Sequence, residues 1–218
     1  MKLIYAILIA LVCIGGTFGM EKKQESRLKC SLRSSNVTNS WIDIVTPCVK
    51  SLKKQVSVEF NASMEYLSMA AHFARDTVNR PGFSKFFFDS ASEEREHGIK
   101  IIEYLLMRGQ LTNDVSKLIT FPIITNNTEL NGKKALTEAL KLEAKVTRSI
   151  RDIIKTCENE PSFNDYHLVD YLITDFLDEQ YKAQRDLAGK ISVLSKLMQT
   201  HGALGEFLFD KKLLNGEV

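Results

Sequence analysis

The chain has 218 residues, 44% of them hydrophobic and 26% charged, with a formal net charge of +2. That is the composition of an ordinary globular protein with apolar material for a single core. Acidic and basic residues are interspersed with no long basic run, so nothing points to nucleic acid or an anionic membrane as partner.

Met1-Lys2, the apolar stretch from Leu3 to Gly15 and the small residues around Thr17 and Gly19 have the charge, length and exit of a secretory signal peptide, assigned to residues 1–19. The apolar run falls short of the roughly 20 residues a membrane-spanning helix needs. The expected location is therefore the secretory pathway, its ER and Golgi lumen, and the outside of the cell. Cleavage removes Cys13 and leaves Cys30, Cys48 and Cys157 in a compartment where disulfides persist. One pair can close within the chain; the third cysteine then stays free or bridges to another chain, and a bridge is favoured, with the pairing open. Residues 20–46 form a polar extension carrying the sequon Asn36-Val37-Thr38. A second glycosylation candidate, Asn126-Asn127-Thr128, falls in a later loop, whereas Asn61-Ala62-Ser63 sits inside a helix and is expected to go unused.

From Pro47, apolar residues recur at helical spacing to Arg75, and Pro81 suits the first turn of the next helix. The second helix runs to Arg108, with Gly109 as its cap: roughly 27 residues, or about 40 Å. Gln110 to about Asn131 contains Pro122, Asn126-Asn127 and β-branched Ile119, Ile123 and Ile124, and does not read as helix. So long a connection needs a topological reason, and a crossover between two helical hairpins supplies one. A third helix follows from about Gly132 to Cys157. A fourth runs from Asp165, a possible N-cap, to about Gln199, and a short fifth from Gly202 to about Lys211. The expected fold is all-α: a four-helix bundle over residues 47–213, with one long crossover between its second and third helices, a short C-terminal fifth helix and a tail at 214–218.

The inward stripes, read at steps of three and four, carry polar residues where a core should be. The first helix gives Leu52, Val56, Glu59, Ser63, Tyr66, Ala70 and Phe73. The second gives Phe83, Phe87, Ser90, Glu94, His97, Ile101 and Leu105. The third gives Leu136, Leu140, Glu143, Val146 and Ile150, and the fourth Leu172, Phe176, Gln180, Ala183 and Leu187. Uncompensated buried carboxylates cost several kcal/mol each, and no Lys or Arg shares these stripes, so a metal resolves the arrangement better than salt bridges do. Glu94 and His97, three residues apart, can grip one ion, and oxygen-rich ligands with a single imidazole suit iron. Taken singly, a Glu-x-x-His pair is usually solvated and a lone tyrosine usually core filler. The coincidence on four helices, in the order of di-iron carboxylate bundles, carries the inference. Glu93, Glu96 and Lys100 read by default as a solvated face.

Glu59-Phe60-Asn61-Ala62-Ser63-Met64-Glu65-Tyr66, Glu93-Glu94-Arg95-Glu96-His97, Leu177-Asp178-Glu179-Gln180 and Glu206-Phe207-Leu208-Phe209-Asp210-Lys211 resemble ferritin. The resemblance covers roughly residues 47–213 and is nearest the secreted heavy-chain type of insects. It implies a ferroxidase site with Glu59, Glu94 and His97 on a first iron, Glu94 bridging, Glu143 and Gln180 around a second, and Tyr66 alongside. It implies oxidation of Fe(II) to Fe(III) by dioxygen, and a 24-subunit shell mixing heavy- and light-chain-type subunits. Two positions depart from the family. Asp170 matches the first channel acid but Ile173 stands at the second, and Glu93 and Glu96 match mineral-nucleation glutamates while Ile99 stands at the third. A passive shell subunit is the main alternative. A helical cytokine has no use for these buried carboxylates, and a symmetric di-iron oxidase would need a second Glu-x-x-His where Val146 stands.

Overall fold

The computed structural model describes residues 35–110, 115–120, 130–158 and 164–218. The expected signal peptide, Cys30 and Asn126 lie outside these residues. Residues 35–38, with Asn36, belong to a separate N-terminal unit and are exposed and non-helical; the helical body is Asn39–Val218.

The elements in order are α1 (Thr46–Ala74), α2 (Pro81–Met107), a short 3-10 turn (Val115–Leu118), α3 (Gly132–Glu158), α4 (Tyr166–Leu172), a π turn (Ile173–Leu177), α5 (Asp178–His201) and α6 (Ala203–Leu214). No strand occurs among the described residues, and no helix there is long and apolar enough to cross a membrane. The expected four-helix bundle is present; its fourth helix runs on through a π turn at Ile173–Leu177, with right-handed helical dihedrals at both junctions. No Pro or Gly marks that turn in the sequence.

Local chemistry explains most of the helix limits. Pro47 and Pro81 occupy the first turns of α1 and α2, where their missing N–H groups are no loss. Asp165 caps α4, its side chain accepting from the Leu168 N–H at 3.2 Å. Gly109 ends α2 at φ +68°, a left-handed conformation that also brings its backbone against the Trp41 ring, where a Cβ would collide.

α1 packs along α2, α3 along α5, and α1 also touches α3. Each inward stripe is buried, except that Ser90, Leu140 and Ala183 are half-buried, with Ala91 and Ala139 closing the core beside the first two. At the α6 end, Phe73 stacks on Phe83 at 5.0 Å, and Phe83 on Phe209 of α6 at 5.7 Å. Burial of each such ring contributes about 1.5–3 kcal/mol.

α6 also completes two helix starts that lie far from it in sequence. Neither flank of α2 supplies a side-chain cap; instead the buried carboxylate of Asp210 accepts from the Phe83 N–H at 3.0 Å. Gly82 lies so close to the Asp210 backbone that any Cβ there would overlap it. Glu206 accepts from the Gly132 N–H at the start of α3 and pairs with Arg80 at 3.2 Å. The carboxylates thus meet the positive ends of two helix dipoles.

Cys48, near the start of α1, is joined by a disulfide to Cys157, at the end of α3, with Cα atoms 5.3 Å apart. That settles which pair closes within the chain.

Candidate metal centre

Four helices bring their polar interruptions to one level of the bundle. Glu59 and Tyr66 come from α1, Glu94 and His97 from α2, Glu143 from α3 and Gln180 from α5, and all six are buried, none more than 5% exposed. Ligand atoms of Glu59, Glu94 and His97 lie within 4.8 Å of one another, a separation that one cation can bridge. Glu143 and Gln180 sit beside that trio rather than within it.

Hydrogen bonds hold one side of Glu59, Glu143 and His97 and leave the other bare. Gln55 donates to Glu59 Oε1 at 2.7 Å and is itself fixed by the Ser149 hydroxyl, which donates to its Oε1 at 2.6 Å. The Tyr66 hydroxyl donates to Glu143 Oε1. Thr147 donates to Gln180 Oε1 at 3.0 Å and accepts from Gln184 at 2.5 Å. His97 places Nε2 3.2 Å from Glu179 Oε2 and turns Nδ1 towards Glu94, 3.7 Å away. The second oxygens of Glu59, Glu94 and Glu143, with His97 Nδ1, are buried and have no hydrogen-bond partner. An orphaned buried polar atom costs about 1–3 kcal/mol, so four at one level need an explanation. Cation binding at Glu59, Glu94 and His97, with Glu143 beside them, provides one, and the donor set, three carboxylates and an imidazole, fits iron.

The electrostatics agree with that fit. Burial, reinforced by the Glu94 carboxylate, pushes Glu59 well above the usual carboxylate range, against the opposing bond from Gln55. Burial and then the neighbouring charge of Glu143 raise Glu94 to about 8. Glu143 is raised by burial although Tyr66 and Gln180 bond to it. Tyr66 is held well above its ordinary value by burial and then by Glu143. Burial also acts to raise Glu179, but the adjacent His97 overrides it and the group lies below the ordinary range. The site therefore holds protons that an arriving cation must displace.

Sequence reasoning missed four contributors. Gln55 lies one turn before Glu59, Thr147 one turn after Glu143, Ser149 on α3 bonds to Gln55, and Glu179 stands directly before Gln180; each is an uncharged or ordinarily surface-seeking residue that gains meaning only from its partner. Glu93 and Glu96 are exposed on α2, where Glu93 is raised by burial and then by Glu179. Asp170 is exposed on α4, and Ile173, 45% exposed, opens the π turn.

With this geometry in view, the comparisons are specific. A ferritin-like domain matches residues 49–197. The ferritin heavy chain of Trichoplusia ni is 55% identical over 193 residues, 88% of this chain and 92% of that one. The ferritin heavy chain of Drosophila melanogaster is 55% identical over 185 residues, 85% of this chain and 90% of that one. The crystal structure of Trichoplusia ni secreted ferritin aligns with a TM-score of 0.82 at 56% identity, covering 87% of this chain and 100% of that chain. The chain belongs to the ferritin family.

Proposed function

We propose that this chain is an iron-storage subunit of a secreted ferritin and that it oxidises Fe(II) with dioxygen at the buried carboxylate site. Iron is the substrate. Glu59, Glu94 and His97 bind a first Fe(II), Glu94 reaches a second, and Glu143 with Gln180 completes the second position. The observation that carries this reading is the set of four unpartnered ligand atoms on Glu59, Glu94, His97 and Glu143.

Each residue's part follows from its surroundings. Gln55 and Ser149 fix one oxygen of Glu59 so that the other faces the metal. Tyr66 does the same for Glu143. Glu179, on the far nitrogen of His97, favours the tautomer that leaves Nδ1 free to ligate. Carboxylates bind Fe(III) more strongly than Fe(II), which favours electron loss. Two Fe(II) give one electron each to dioxygen, and two protons complete hydrogen peroxide. The carboxyl protons displaced by iron are one local source for them. Ferric product then moves inward towards the exposed Glu93 and Glu96, and Asp170 serves entry.

Assembly with other ferritin subunits, including a light-chain-type partner in a 24-subunit shell, follows the family. The pairing of Cys48 with Cys157 leaves Cys30 as the thiol for a bridge between chains. Passage through the secretory pathway fits that disulfide and would expose Asn36 to glycosylation.

Aerobic Fe(II) oxidation by the assembled protein, followed by absorbance and oxygen consumption, tests the reading. We expect fast oxidation in the wild type and its loss, by two orders of magnitude or more, in a Glu59→Ala, His97→Ala double variant. Equal slow oxidation by both would leave a passive shell subunit.

A further inference from the structure

A line of aromatic rings leaves the metal site at His97. The His97 imidazole lies 5.5 Å from the Phe176 ring, Phe176 5.5 Å from Tyr171, and Tyr171 stacks on Tyr104 at 4.6 Å with the planes only 16° apart. The π turn makes this alignment possible: winding with i→i+5 bonds places residues five apart, such as Tyr171 and Phe176, over one another, whereas an ordinary helix turns them to different faces.

The two tyrosines differ in what their hydroxyls touch. Tyr171 bonds only to the Lys100 carbonyl at 3.3 Å, which cannot take a proton. The buried Tyr104 hydroxyl accepts from Arg108 at 2.7 Å and lies 2.9 Å from Nδ1 of His167, which takes its proton when the imidazole is the Nε2–H tautomer. His167 is solvent-exposed, and the Arg108 charge is already met by both oxygens of Asp165 and by Asp43. Burial pushes Tyr104 up to about 12 despite Arg108, so the phenol is protonated at neutral pH and its oxidation must release that proton. Ordinary core packing requires a partner for the hydroxyl; it does not require a base with an outlet to solvent.

We propose that Phe176, Tyr171 and Tyr104 form a one-electron relay that carries oxidising equivalents from the metal site to the Tyr104–His167 pair. The inference rests on the ferroxidase reading, whose product, hydrogen peroxide, is the oxidant. Peroxide takes two electrons as its O–O bond breaks, one from an Fe(II) and one from Tyr104. The tyrosine electron passes over Tyr171 and through the Phe176 ring, which bridges without itself losing a proton. Tyr104 becomes a neutral phenoxyl radical, its proton passes to His167 and then to water, and the two peroxide oxygens leave as two hydroxide ions, one of which the released proton neutralises through solvent. Oxidising power made in the core is thereby spent near the surface rather than on the ligands.

The test mixes the assembled protein with Fe(II) and hydrogen peroxide, freezes it within milliseconds and records the phenoxyl signal by electron paramagnetic resonance, with iron oxidation followed on the same samples. We expect a tyrosyl signal in the wild type that is lost in Tyr104→Phe and forms several-fold more slowly in Tyr171→Phe. In His167→Gln, which keeps an acceptor but no base, the yield falls several-fold. Iron oxidation without any phenoxyl signal, or with one indifferent to Tyr104→Phe and His167→Gln, overturns the relay and leaves the ferroxidase reading standing. A wild type that oxidises no iron overturns both.

Discussion

The protonation of Glu94 links the site to the stability of the whole subunit. Burial and the Glu143 charge keep its folded-state value near 8, whereas an unfolded glutamate titrates near 4.5. Between those values the folded, metal-free protein holds a proton that the unfolded chain has lost. The contribution of Glu94 to stability is thus fully present below the unfolded value and is lost as pH rises through the folded one. A Glu94→Gln variant, whose amide does not titrate, escapes that loss. Compared by calorimetry under a chelator, the wild type should lose melting temperature relative to Glu94→Gln from about pH 5 to about pH 8, and a difference flat across that window would show that Glu94 does not carry the proton. Iron binding should reverse the trend in the wild type only. Glu59, Glu94, His97 and Glu143 were legible from spacing because each breaks an apolar stripe. Gln55 and Thr147 were not, since a polar residue one turn from a ligand looks the same in sequence whether it faces solvent or the ligand. Ser149 and Glu179 were hidden because they act only through Gln55 and His97, on other helices.

Among the helices, α6 does most of its stabilising through others. Its buried Asp210 supplies the cap that the flank of α2 lacks, and the second oxygen of that carboxylate has no hydrogen-bond partner, only Lys211 Nζ at 3.8 Å, so the bond to Phe83 must outweigh an appreciable desolvation cost. An Asp210→Ala change should cost about 1–2 kcal/mol, the usual loss for a helix cap. For a domain of this size that lowers the melting temperature by roughly 2–8 °C, and an unchanged value would mean the capping bond is balanced by desolvation. Asp210→Asn, which keeps an acceptor oxygen, should recover most of the loss. The helices themselves were readable because Pro47, Pro81, Gly109 and Asp165 sit at their limits. The π turn was not, because Ile173–Leu177 contains no breaker; its winding is set by what packs around it, namely Phe176 between His97 and Tyr171. The caps from Glu206 and Asp210 were equally hidden, since they join residues more than 70 positions apart.

Across the molecule, the Cys48–Cys157 disulfide ties the start of the first hairpin to the end of the second pair's leading helix, 109 residues apart. Closing a loop of roughly 100 residues removes chain entropy from the unfolded state worth about 4.7 kcal/mol. A Cys48→Ser, Cys157→Ser double variant should therefore melt on the order of 10 °C lower than the oxidised wild type, and match the reduced wild type. If oxidised and reduced proteins melt together, the bond closes no loop that matters to the unfolded state. Three cysteines beyond the expected signal peptide announced that one intramolecular pair was possible, but which pair depends on α3 lying alongside α1, a fact of topology that spacing does not contain.

The caps donated by α6 also bear on the order in which the protein is made. Residues emerge from the ribosome from the N-terminus onward, so the starts of α2 and α3 leave the exit tunnel long before Glu206 and Asp210 have been translated. Until then Phe83 and Gly132 have open amide groups and the Phe73–Phe83 stack has no Phe209 to cover it. The nascent bundle therefore lacks these caps until α6 arrives, and the subunit acquires its closed end only when translation is nearly finished.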